Sequence, residues 1–552
     1  MDDLIRRIRA AAAAFCRRNP GSAAMVLAFA LLGSAAAFLP AAPVWITDNG
    51  NKYIIMRNFA ESGVLSIRHA VPGNFPTGGF HFQKTATGFR SFYPEFLPAV
   101  TALPWRLFGD RGATLIPTLA GILLAGAMAR HFRSFACAAL AFFATPCAFY
   151  SLLLWEMIPA VLVGFLGVTR LKKRKFFTGG LLLGLGLFLR EEMYFLGAAA
   201  GLVLLFQKEG RALGRLCAGF ALGALPVWLA QYLLTGHVLG LHGATYYLNN
   251  RQGFDIVNEF FGIFWNYFQH LFRFETLPYF ALFGVLCVGA GFFRTPRLEK
   301  AKAFLLGAGA LLFLAGAYRF LSGQAYCYRA ALCAGFITAL PLGWGFWADL
   351  RQLYAASSRG SRFVMMLAVV YTFLVPPLLT RHDVGLFWGA RHFLFIMPFV
   401  IFFSLRAFRS LPRRKTLLAA LAAVSVIWQL CGFAALSRVS EESEEFTNSI
   451  RSLGGKVLAT DIFFLPEQTP KLFFAGDFCE LATEEQVTDL IAELRRRNEK
   501  NFLFITSPNW SRLSVNGRKK LAGAVAPAGE VLRFQSPASG FMDLLIVPFR
   551  VK

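Results

Sequence analysis

Acidic residues are scarce in this chain. Its 552 residues include 31 Asp and Glu but 56 Lys and Arg, which gives a formal net charge of +25. An excess of this size suggests nucleic acid as a partner when the bases form a continuous patch. Here they form short tracts between long apolar runs, which is typical of a topology signal in a membrane protein. We therefore predict no nucleic-acid partner.

Cysteine, metal-ligand spacings and phosphate loops are equally rare. Most of the nine cysteines lie inside apolar runs, where a thiol packs as a small hydrophobic group. Cys327 and Cys479 are candidates for the outer surface, but one pair is not a disulfide framework. No pair of His, Cys or carboxylate residues has a spacing that specifies a metal, so a divalent metal is left open. The stretch GGLLLGLG at 179–186 is an apolar span with small packing residues, not a nucleotide site.

Long apolar runs are what the chain does contain. Hydrophobic residues make up 56% of it and aromatic residues 15%, and the mean hydropathy is +0.51. A soluble protein of this length needs more polar surface than that. The pattern predicts an α-helical polytopic membrane protein with about thirteen transmembrane helices and a small C-terminal extracytoplasmic α/β domain. The predicted spans are 22–43, 112–129, 134–151, 157–169, 176–189, 193–206, 213–234, 278–293, 303–320, 330–348, 363–379, 393–408 and 417–436.

Composition also sets the domain boundaries. Basic residues dominate positions 1–21, which we assign to a cytoplasmic N-terminus. The run at 22–43 resembles a signal peptide, but it has no convincing cleavage site and further spans follow, so we interpret it as a retained first helix. The transmembrane domain is predicted at 22–436, with a large first outer loop at about 44–111. Residues 437–552 are predicted to form the extracytoplasmic domain.

One stretch decides which side of the membrane each loop faces. SFYPEFLPAVTALPWRLFG at 91–109 is apolar, but it contains three prolines, Glu95 and Arg106. Interior prolines remove helix hydrogen bonds, and charges near the middle of a bilayer are costly. We therefore predict an interfacial helix on the outer surface. Basic tracts such as RLKKRK (170–175) and RAFRSLPRRK (406–415) then all face the cytoplasm, and the outer loops hold few bases.

The C-terminal segment has the pattern of a soluble α/β domain. KVLAT, KLFFAG, NFLFITS and FMDLLIVPF are interpreted as short strands, and SEESEEF as the start of a polar helix. TEEQVTDLIAELRRRNEK is an amphipathic helix, in which Thr483 and Gln486 have the spacing of a capping box.

Charged residues recur at the predicted outer ends of the spans. Asp48 and Lys52 are four positions apart, so they share one face if the segment is helical. Glu156 lies in the outer turn between the third and fourth spans. FLREEMYF places Arg190, Glu191 and Glu192 between the fifth and sixth spans. Each of these residues also has an explanation without a functional role. Asp48 and Glu156 would then be solvated acids, and Arg190 would belong to an interfacial salt-bridge cluster.

A fourth charged stretch, TRHDVGLFWGARHFLF, leads into the twelfth predicted span. It contains Trp388, Arg391 and His392. The alternative for Arg391 and His392 is that they reach towards lipid headgroups. The loop GHVLGLHGATYYLNN, which contains Tyr246 and two histidines, most simply has ordinary loop residues.

Sugar transfer from a polyprenyl phosphate suits charges that recur at one membrane face. The lipid tail of such a donor stays in the bilayer, and its phosphate leaves at headgroup level, where fixed cations such as Arg stabilise it. The acceptor hydroxyl needs a general base near the anomeric carbon of the sugar. An acid at the start of a large outer loop can supply that base.

The order of these motifs resembles the GT-C superfamily of integral-membrane glycosyltransferases, which includes protein O-mannosyltransferases and the lipid A aminoarabinose transferase. The family's first-loop acid corresponds to Asp48 in ITDNGNKY, and its second acid to Glu156. Its interfacial helix corresponds to FYPEFLPAVTALPWRLFG, its Arg-Pro-Glu-like turn to LREE, and its late Trp-Gly-Pro-Arg-Tyr-like motif to FWGARHFLFIMP. The chain departs from the pattern where Asn49 replaces the second acid of an Asp-Glu pair and His392 replaces a Tyr.

The resemblance implies a set of site residues and an inverting displacement. Asp48 is expected to be the general base or to orient the acceptor, and Glu156 to assist at the sugar. The donor phosphate is expected to contact Arg391 and His392, with Arg190 or Lys52. The residues expected at the acceptor or the sugar are Glu191, Trp388 and Tyr246.

The predicted function is therefore transfer of a sugar from a polyprenyl-phosphate donor to a glycan, lipid or protein acceptor at the outer face of a bacterial inner membrane. Membrane lipid is the other expected partner. Two alternatives stay open: a lipid-linked sugar flippase or transporter, and an O-antigen polymerase or ligase. Flippases tend to show repeated halves, and the sequence has no such repeat. A polymerase or ligase has its large outer loop late in the chain, whereas here it comes first.

Overall fold

The computed structural model describes most of the chain. The described residues are 14–69, 81–85, 87–240, 340–378, 388–408, 414–454, 456–474, 476–536 and 542–552, with scattered positions between 262 and 337. The predicted span at 278–293, most of the one at 303–320, and Tyr246 lie outside these residues.

Apolar helices build the membrane part. In chain order they are α1 (Pro20–Phe38), α2 (Thr47–Ser62), α3 (Phe96–Phe108), α4 (Leu115–Phe132), α5 (Phe135–Phe143), α6 (Cys147–Tyr150), α7 (Met157–Lys172), α8 (Phe176–Leu185), α9 (Glu192–Phe206), α10 (Gly210–Thr235), α11 (Trp344–Ala348), α12 (Leu350–Ala355), α13 (Arg359–Leu378), α14 (Met397–Ala407) and α15 (Arg414–Ser452). Among the described residues, five stretches are long and apolar enough to cross a membrane, and α8, α9 and α14 are shorter apolar helices. The chain is thus a helical multi-pass membrane protein, while the count of thirteen spans stays a prediction.

The predicted span at 134–151 is interrupted in the structure. Helix α5 ends at Phe143, and α6 begins only at Cys147. Pro146 between them has no N–H to continue the helix, and the Thr145 hydroxyl donates back to the carbonyl of Ala141 at 2.8 Å. This break turns the chain towards Glu156, which precedes α7.

The first outer segment begins with a helix rather than an irregular loop. The side-chain oxygen of Asn49 accepts the backbone N–H groups of Trp45 and Ile46 at 3.1 and 3.0 Å, and its amide donates to the carbonyl of Pro43 at 3.0 Å. These bonds fix the approach of the chain to α2. Asp48 therefore lies in the first turn of a helix, where a carboxylate is favoured by the helix dipole.

Helix α3 covers much of the stretch predicted to be interfacial. It has 13 residues, so it is about 20 Å long, which is less than the roughly 30 Å hydrocarbon core of a bilayer. One side packs against α2 through Leu97 and Ala102, whereas Leu103 and Leu107 are more than 60% exposed. This one-sided burial is compatible with the predicted interfacial placement, which stays a prediction.

The last membrane helix is longer than expected. Helix α15 runs for 39 residues from Arg414 to Ser452, without a break at the predicted boundary near residue 436. SEESEEF is therefore the middle of a helix, and the prediction that it begins one is wrong. Polar residues replace apolar ones along the same helix, so composition changes there although the backbone does not.

A mixed sheet forms the small C-terminal domain. Its strands are β3 (Val457–Thr460), β4 (Asp477–Glu480), β5 (Asn501–Thr506), β6 (Val525–Pro527), β7 (Leu532–Ser536) and β8 (Met542–Val551); a separate hairpin of β1 (Phe82–Thr85) and β2 (Gly88–Ser91) lies in the first outer segment. The order is β4-β3-β5-β8-β6 with β7 paired to β8; β3 runs parallel to β4 and β5, and β8 is antiparallel to its neighbours. Helices α16 (Leu465–Gln468), α17 (Glu484–Arg496) and α18 (Val515–Ala524) complete it.

Most local predictions for this domain hold, and those for SEESEEF and KLFFAG are wrong. Strands lie at KVLAT, NFLFITS and FMDLLIVPF, and α17 begins with the predicted capping box. KLFFAG is not a strand, because its described residues form turns that precede β4. Cys479 lies in β4 and is fully buried, and the side of the membrane that it occupies stays a prediction.

Candidate functional site

Asp48 is the centre of a cluster of charged side chains. Its Oδ2 lies 2.9 Å from the Nη1 of Arg391, and its Oδ1 accepts a hydrogen bond of 2.8 Å from the hydroxyl of Tyr93. Burial by itself raises the pKa of this carboxyl, but Arg391, Lys52 and His81 outweigh burial and hold the pKa well below its usual range. Asp48 is therefore ionised in the ligand-free protein.

Lys52 lies one helical turn further along α2 and is fully buried. Its Nζ is 3.4 Å from the Oε2 of Glu156 and 3.4 Å from the backbone carbonyl of Asp48. It also lies 4.3 Å from the centre of the Tyr93 ring, a cation–π contact. A buried ammonium requires a partner of this kind, because an unpaired charge is costly away from water.

Glu156 and Arg190 connect the first outer segment to a distant pair of helices. The Nη1 of Arg190 lies 3.0 Å from the Oε1 of Glu156, and the same guanidinium forms a two-point pair with Glu192. Glu192 in turn lies 3.0 Å from the Nδ1 of His392. Glu156 and Glu192 thus alternate with basic side chains along one network, which Lys52 joins to Asp48 through the backbone carbonyl of that residue.

The site has three carboxylates and three permanent cations. Asp48, Glu156 and Glu192 balance Lys52, Arg190 and Arg391, and no side chain of the six is more than 14% exposed. A shielded environment strengthens every interaction within it. An incoming anion can therefore compete with the carboxylates for cations that are already in place.

Tryptophan covers one side of the network. The guanidinium carbon of Arg391 lies 5.4 Å from the ring centre of Trp155, which is fully buried. The Nε1 of Trp155 makes no hydrogen bond to any of the described residues, although it is buried. A buried N–H without a partner is unusual in a folded protein.

The C-terminal domain packs directly on helix α2. Glu467 in α16 is fully buried; its Oε1 accepts from the amide of Asn51 at 3.1 Å, and its Oε2 lies 2.5 Å from the Nδ1 of His81. The Oδ1 of Asn51 also accepts the hydroxyl of Ser91 at 2.9 Å. Gly50 lies so close to this helix that a Cβ there would be 1.6 Å from the carbonyl oxygen of Glu467. The domain therefore fixes the helix that holds Asp48.

Six of the predicted site residues come together in this cluster: Asp48, Lys52, Glu156, Arg190, Arg391 and His392. Of the other three, Tyr246 lies outside the described residues. Glu191 lines a separate hollow of about 230 Å³ beside Tyr93, together with apolar residues of α10.

Trp388 lies in the packed interior. Its ring is fully buried and stacks on Trp428 at 4.7 Å and on Phe149 at 5.6 Å. Its N–H donates to the Oε1 of Gln429 at 2.9 Å. The structure therefore places Trp388 in the packed core, and its contact with the sugar stays a prediction.

Four residues of the site and its support were not among the predicted site residues. Tyr93 and Trp155 are adjacent to predicted motifs, in FYPEF and LLLWEM, so an aromatic next to a charged motif was the available signal. Glu192 follows Glu191 directly, and the sequence does not say which of two adjacent acids faces inward. Glu467 had no signal, because acids are common in a soluble domain.

A metal site does not emerge from the part of the chain that the structure describes. Within it, no three His, Cys, Asp or Glu side chains are grouped so that they could hold a metal ion. Asp48 lies beside Asn49, whose side chain is committed to backbone groups, so the two do not form a paired-carboxylate site.

Comparison with known proteins bears on the fold. The crystal structure of ArnT from Cupriavidus metallidurans bound to undecaprenyl phosphate is similar to this chain, with a TM-score of 0.51 and 12% sequence identity over 95% of this chain and 97% of that one. The apo-state structure of ArnT from the same organism gives a TM-score of 0.39 and 14% identity over the same shares. No known family matches the sequence, and neither does any curated protein. The first likeness confirms the predicted fold class, that of an α-helical polytopic membrane protein with a small C-terminal α/β domain.

Proposed function

We propose that this protein moves a sugar from a polyprenyl-phosphate donor to an acceptor, with inversion at the anomeric carbon. The single observation that carries the proposal is the 2.9 Å contact between Asp48 and Arg391 inside a shielded cluster of charges. It joins a candidate base to a candidate phosphate ligand. The fold likeness supports the lipid part of the proposal, since the similar ArnT structure is bound to undecaprenyl phosphate.

The cations provide for the leaving group. A sugar-linked polyprenyl phosphate is a diester with one negative charge, and the departing lipid phosphate carries more. Arg391 and Arg190, with Lys52 behind them, stabilise that additional charge. Such stabilisation is greater in the transition state than in the bound donor, and this difference is what accelerates a reaction.

Asp48 is proposed to take the acceptor's proton. Its pairing with Arg391 makes it a weak base in the ligand-free protein, because the guanidinium lowers its pKa. A donor phosphate that binds Arg391 weakens this pair, and burial then raises the pKa of Asp48. In the reaction, the acceptor oxygen forms a bond to the anomeric carbon while the bond from that carbon to the phosphate oxygen breaks. The electron pair leaves with the phosphate, and the proton passes to Asp48.

Glu156 has a supporting role in this proposal. It accepts contacts from both Lys52 and Arg190, so it holds two cations in position. The hollow beside Tyr93 and Glu191 is mostly lined by apolar side chains, such as Val227 and Leu234 of α10. It suits an apolar portion of the donor or the acceptor.

The proposal includes an orientation in a bacterial inner membrane. Positive-inside asymmetry of the sequence supports a cytoplasmic N-terminus and an extracytoplasmic C-terminal domain. A phosphatase reporter fused after Lys552 is expected to be active, and a cytoplasmic reporter at the same position inactive. The opposite result would exclude transfer at the outer face.

The main test is the Asp48→Asn variant, with Glu61→Gln as the matched control. Glu61 lies on the same helix α2, is 46% exposed and pairs with Arg57. Purified protein in nanodiscs is supplied with polyprenyl-phosphate-linked sugars extracted from bacterial envelopes together with envelope acceptors. Undecaprenyl phosphate release is followed by mass spectrometry. We expect Asp48→Asn to lower the rate by about 10²–10⁴-fold, as loss of a general base does.

Binding of undecaprenyl phosphate alone separates chemistry from recognition. Asp48→Asn should retain or tighten this binding, because Arg391 loses its competing carboxylate, whereas Arg391→Gln should weaken it. An unchanged rate in Asp48→Asn would refute the base assignment. Transport of the intact lipid-linked sugar across the membrane, without release of undecaprenyl phosphate, would favour a flippase instead.

A further inference from the structure

A second pocket lies within the C-terminal domain. It has a volume of about 590 Å³ and lies where the parallel strands β3 and β5 end and helix α18 begins. In α/β sheets, ligands bind at the carboxyl ends of parallel strands. All of its lining residues belong to the C-terminal domain, so it is distinct from the cluster around Asp48.

Asp461 is the buried polar group of this pocket. It directly follows β3 and is 2% exposed. Its Oδ2 accepts the hydroxyls of Thr506 at 2.9 Å and Ser511 at 2.5 Å. Its Oδ1 is equally buried and has no hydrogen-bond partner among the described residues. A buried carboxylate oxygen without a donor is costly, and a ligand donor would remove that cost.

A cation lies next to this carboxylate. Arg518 on α18 lines the pocket; its Nε donates to the carbonyl of Leu513 at 3.1 Å and its Nη2 to the hydroxyl of Ser511 at 3.2 Å. The guanidinium is thus held in place by two bonds, and its field acts on Asp461. Burial is the larger effect, and it raises the pKa of the Asp461 carboxyl.

The remaining wall is apolar. Phe504, Leu521, Leu545 and Phe549 line it, two of them aromatic. An apolar wall facing a small number of fixed polar groups is the usual composition of a small-molecule site.

We propose that this pocket binds a saccharide. A sugar hydroxyl is both donor and acceptor, so one hydroxyl can donate to the Oδ1 of Asp461 while a neighbouring one accepts from Arg518. The C–H face of the ring packs on Phe549 and Leu545. A phosphate fits less well, because the buried carboxylate of Asp461 repels it. A metal ion fits less well too, because Asp461 is the single carboxylate among the residues that line the pocket.

The pocket lies next to the segment that supports the charged cluster around Asp48. The segment that begins at Asp461 continues directly into α16, which holds Glu467 against helix α2. A sugar bound at Asp461 therefore contacts the same short segment that supports the charged cluster. The binding itself does not depend on whether the cluster transfers sugars.

The test is saturation-transfer NMR on the full chain in nanodiscs. The probes are methyl α-D-glucoside, methyl α-D-mannoside, methyl β-D-galactoside and N-acetylglucosamine. At least one is expected to bind, and Asp461→Asn is expected to weaken it at least tenfold, because the amide replaces one carboxylate oxygen with a donor. The matched control is Asp543→Asn, an acid of the same domain that pairs with Arg533 on an exposed surface, and it should bind as the unaltered chain does.

A second variant tests the proposal even if Asp461→Asn does not fold. Arg518 lies on an exposed helix face, so Arg518→Gln keeps the domain intact and is expected to weaken binding about three- to tenfold. The proposal is overturned if none of the four probes binds, if Asp461→Asn and Asp543→Asn bind alike, or if Arg518→Gln leaves the affinity unchanged. These readouts are independent of undecaprenyl phosphate release, so they cannot be confused with failure of the transferase proposal.

Discussion

The carboxylate of Asp48 and the guanidinium of Arg391 are 343 positions apart in the chain and 2.9 Å apart in space. Asp48 lies in the first turn of α2, and Arg391 lies in a single 3₁₀ turn that precedes α14. Their pairing leaves the carboxylate ionised and the cation engaged until a competing anion arrives. The predictions below follow from this pair and from the groups that hold it.

The pH dependence of activity is expected to change in Arg391→Gln. With Arg391 present, the pKa of Asp48 is held well below its usual range, so Asp48 causes no loss of kcat/KM above about pH 5. Without Arg391, Lys52 and His81 oppose the effect of burial alone, so the pKa of Asp48 rises. The acid limb of kcat/KM should therefore move to higher pH. Arg57→Gln on the same helix is the control and should leave the limb in place; an identical profile in both variants would contradict the assignment.

Loss of Glu156 is expected to be more destabilising than loss of Lys52. Glu156→Gln leaves two buried cations without this carboxylate, whereas Lys52→Met leaves Glu156 paired with Arg190. Breaking a buried ion pair costs about 3–5 kcal/mol. Unfolding in detergent titrations measures the difference. Glu61→Gln should change the free energy of unfolding by no more than about 0.5 kcal/mol, as surface changes usually do.

Gly50→Ala is expected to separate α2 from the C-terminal domain. The added methyl group would lie 1.6 Å from the carbonyl oxygen of Glu467, so one backbone must move. Overpacking of this kind costs about 1–3 kcal/mol or more. We expect a lower Tm and at least a tenfold lower rate of sugar transfer. Gly33→Ala is the matched control, since no atom lies within 4 Å of its Cβ position; equal behaviour of the two variants would show that the contact is unimportant.

Tyr93 has two functions that two variants can separate. Tyr93→Phe removes the hydroxyl that donates to Asp48 but keeps the ring beside Lys52. A hydrogen bond to a charged group contributes about 1.5–3 kcal/mol, so transfer should fall roughly tenfold or more. Tyr93→Leu also removes the cation–π contact and should additionally lower the Tm. If Tyr93→Phe has the activity of the unaltered chain, the hydroxyl does not orient Asp48.

The charged cluster was largely predictable from the sequence because its members stand out against apolar runs. Asp48, Glu156 and Arg391 each lie at the end of a hydrophobic stretch, where a charge is conspicuous. For two adjacent acids, the sequence does not predict which one faces the site. Glu192 rather than Glu191 pairs with Arg190, and the phase of α9 at its first turn decides this.

Contacts between segments that are far apart in the chain determine the environment of Trp388 and the conformation of KLFFAG. Trp388 lies three residues before Arg391, and its position in the sequence predicts a contact with the sugar. In the structure, Trp428 and Phe149 stack on its ring. KLFFAG has the composition of a strand, yet its described residues form turns. Contacts between remote segments determine both outcomes, and no local pattern encodes them.

The close approach of Gly50 to Glu467 has a consequence for biosynthesis. Asn51 and its partner Glu467 are separated by 416 positions, so translation of the acid-bearing helix is complete long before its support has been made. A nascent chain that stops between Ser452, where α15 ends, and Leu465, where α16 begins, has the described membrane helices but no anchor for the turn that carries Asp48. The charged cluster thus gains its support last, after the membrane helices have been made and the final domain has folded.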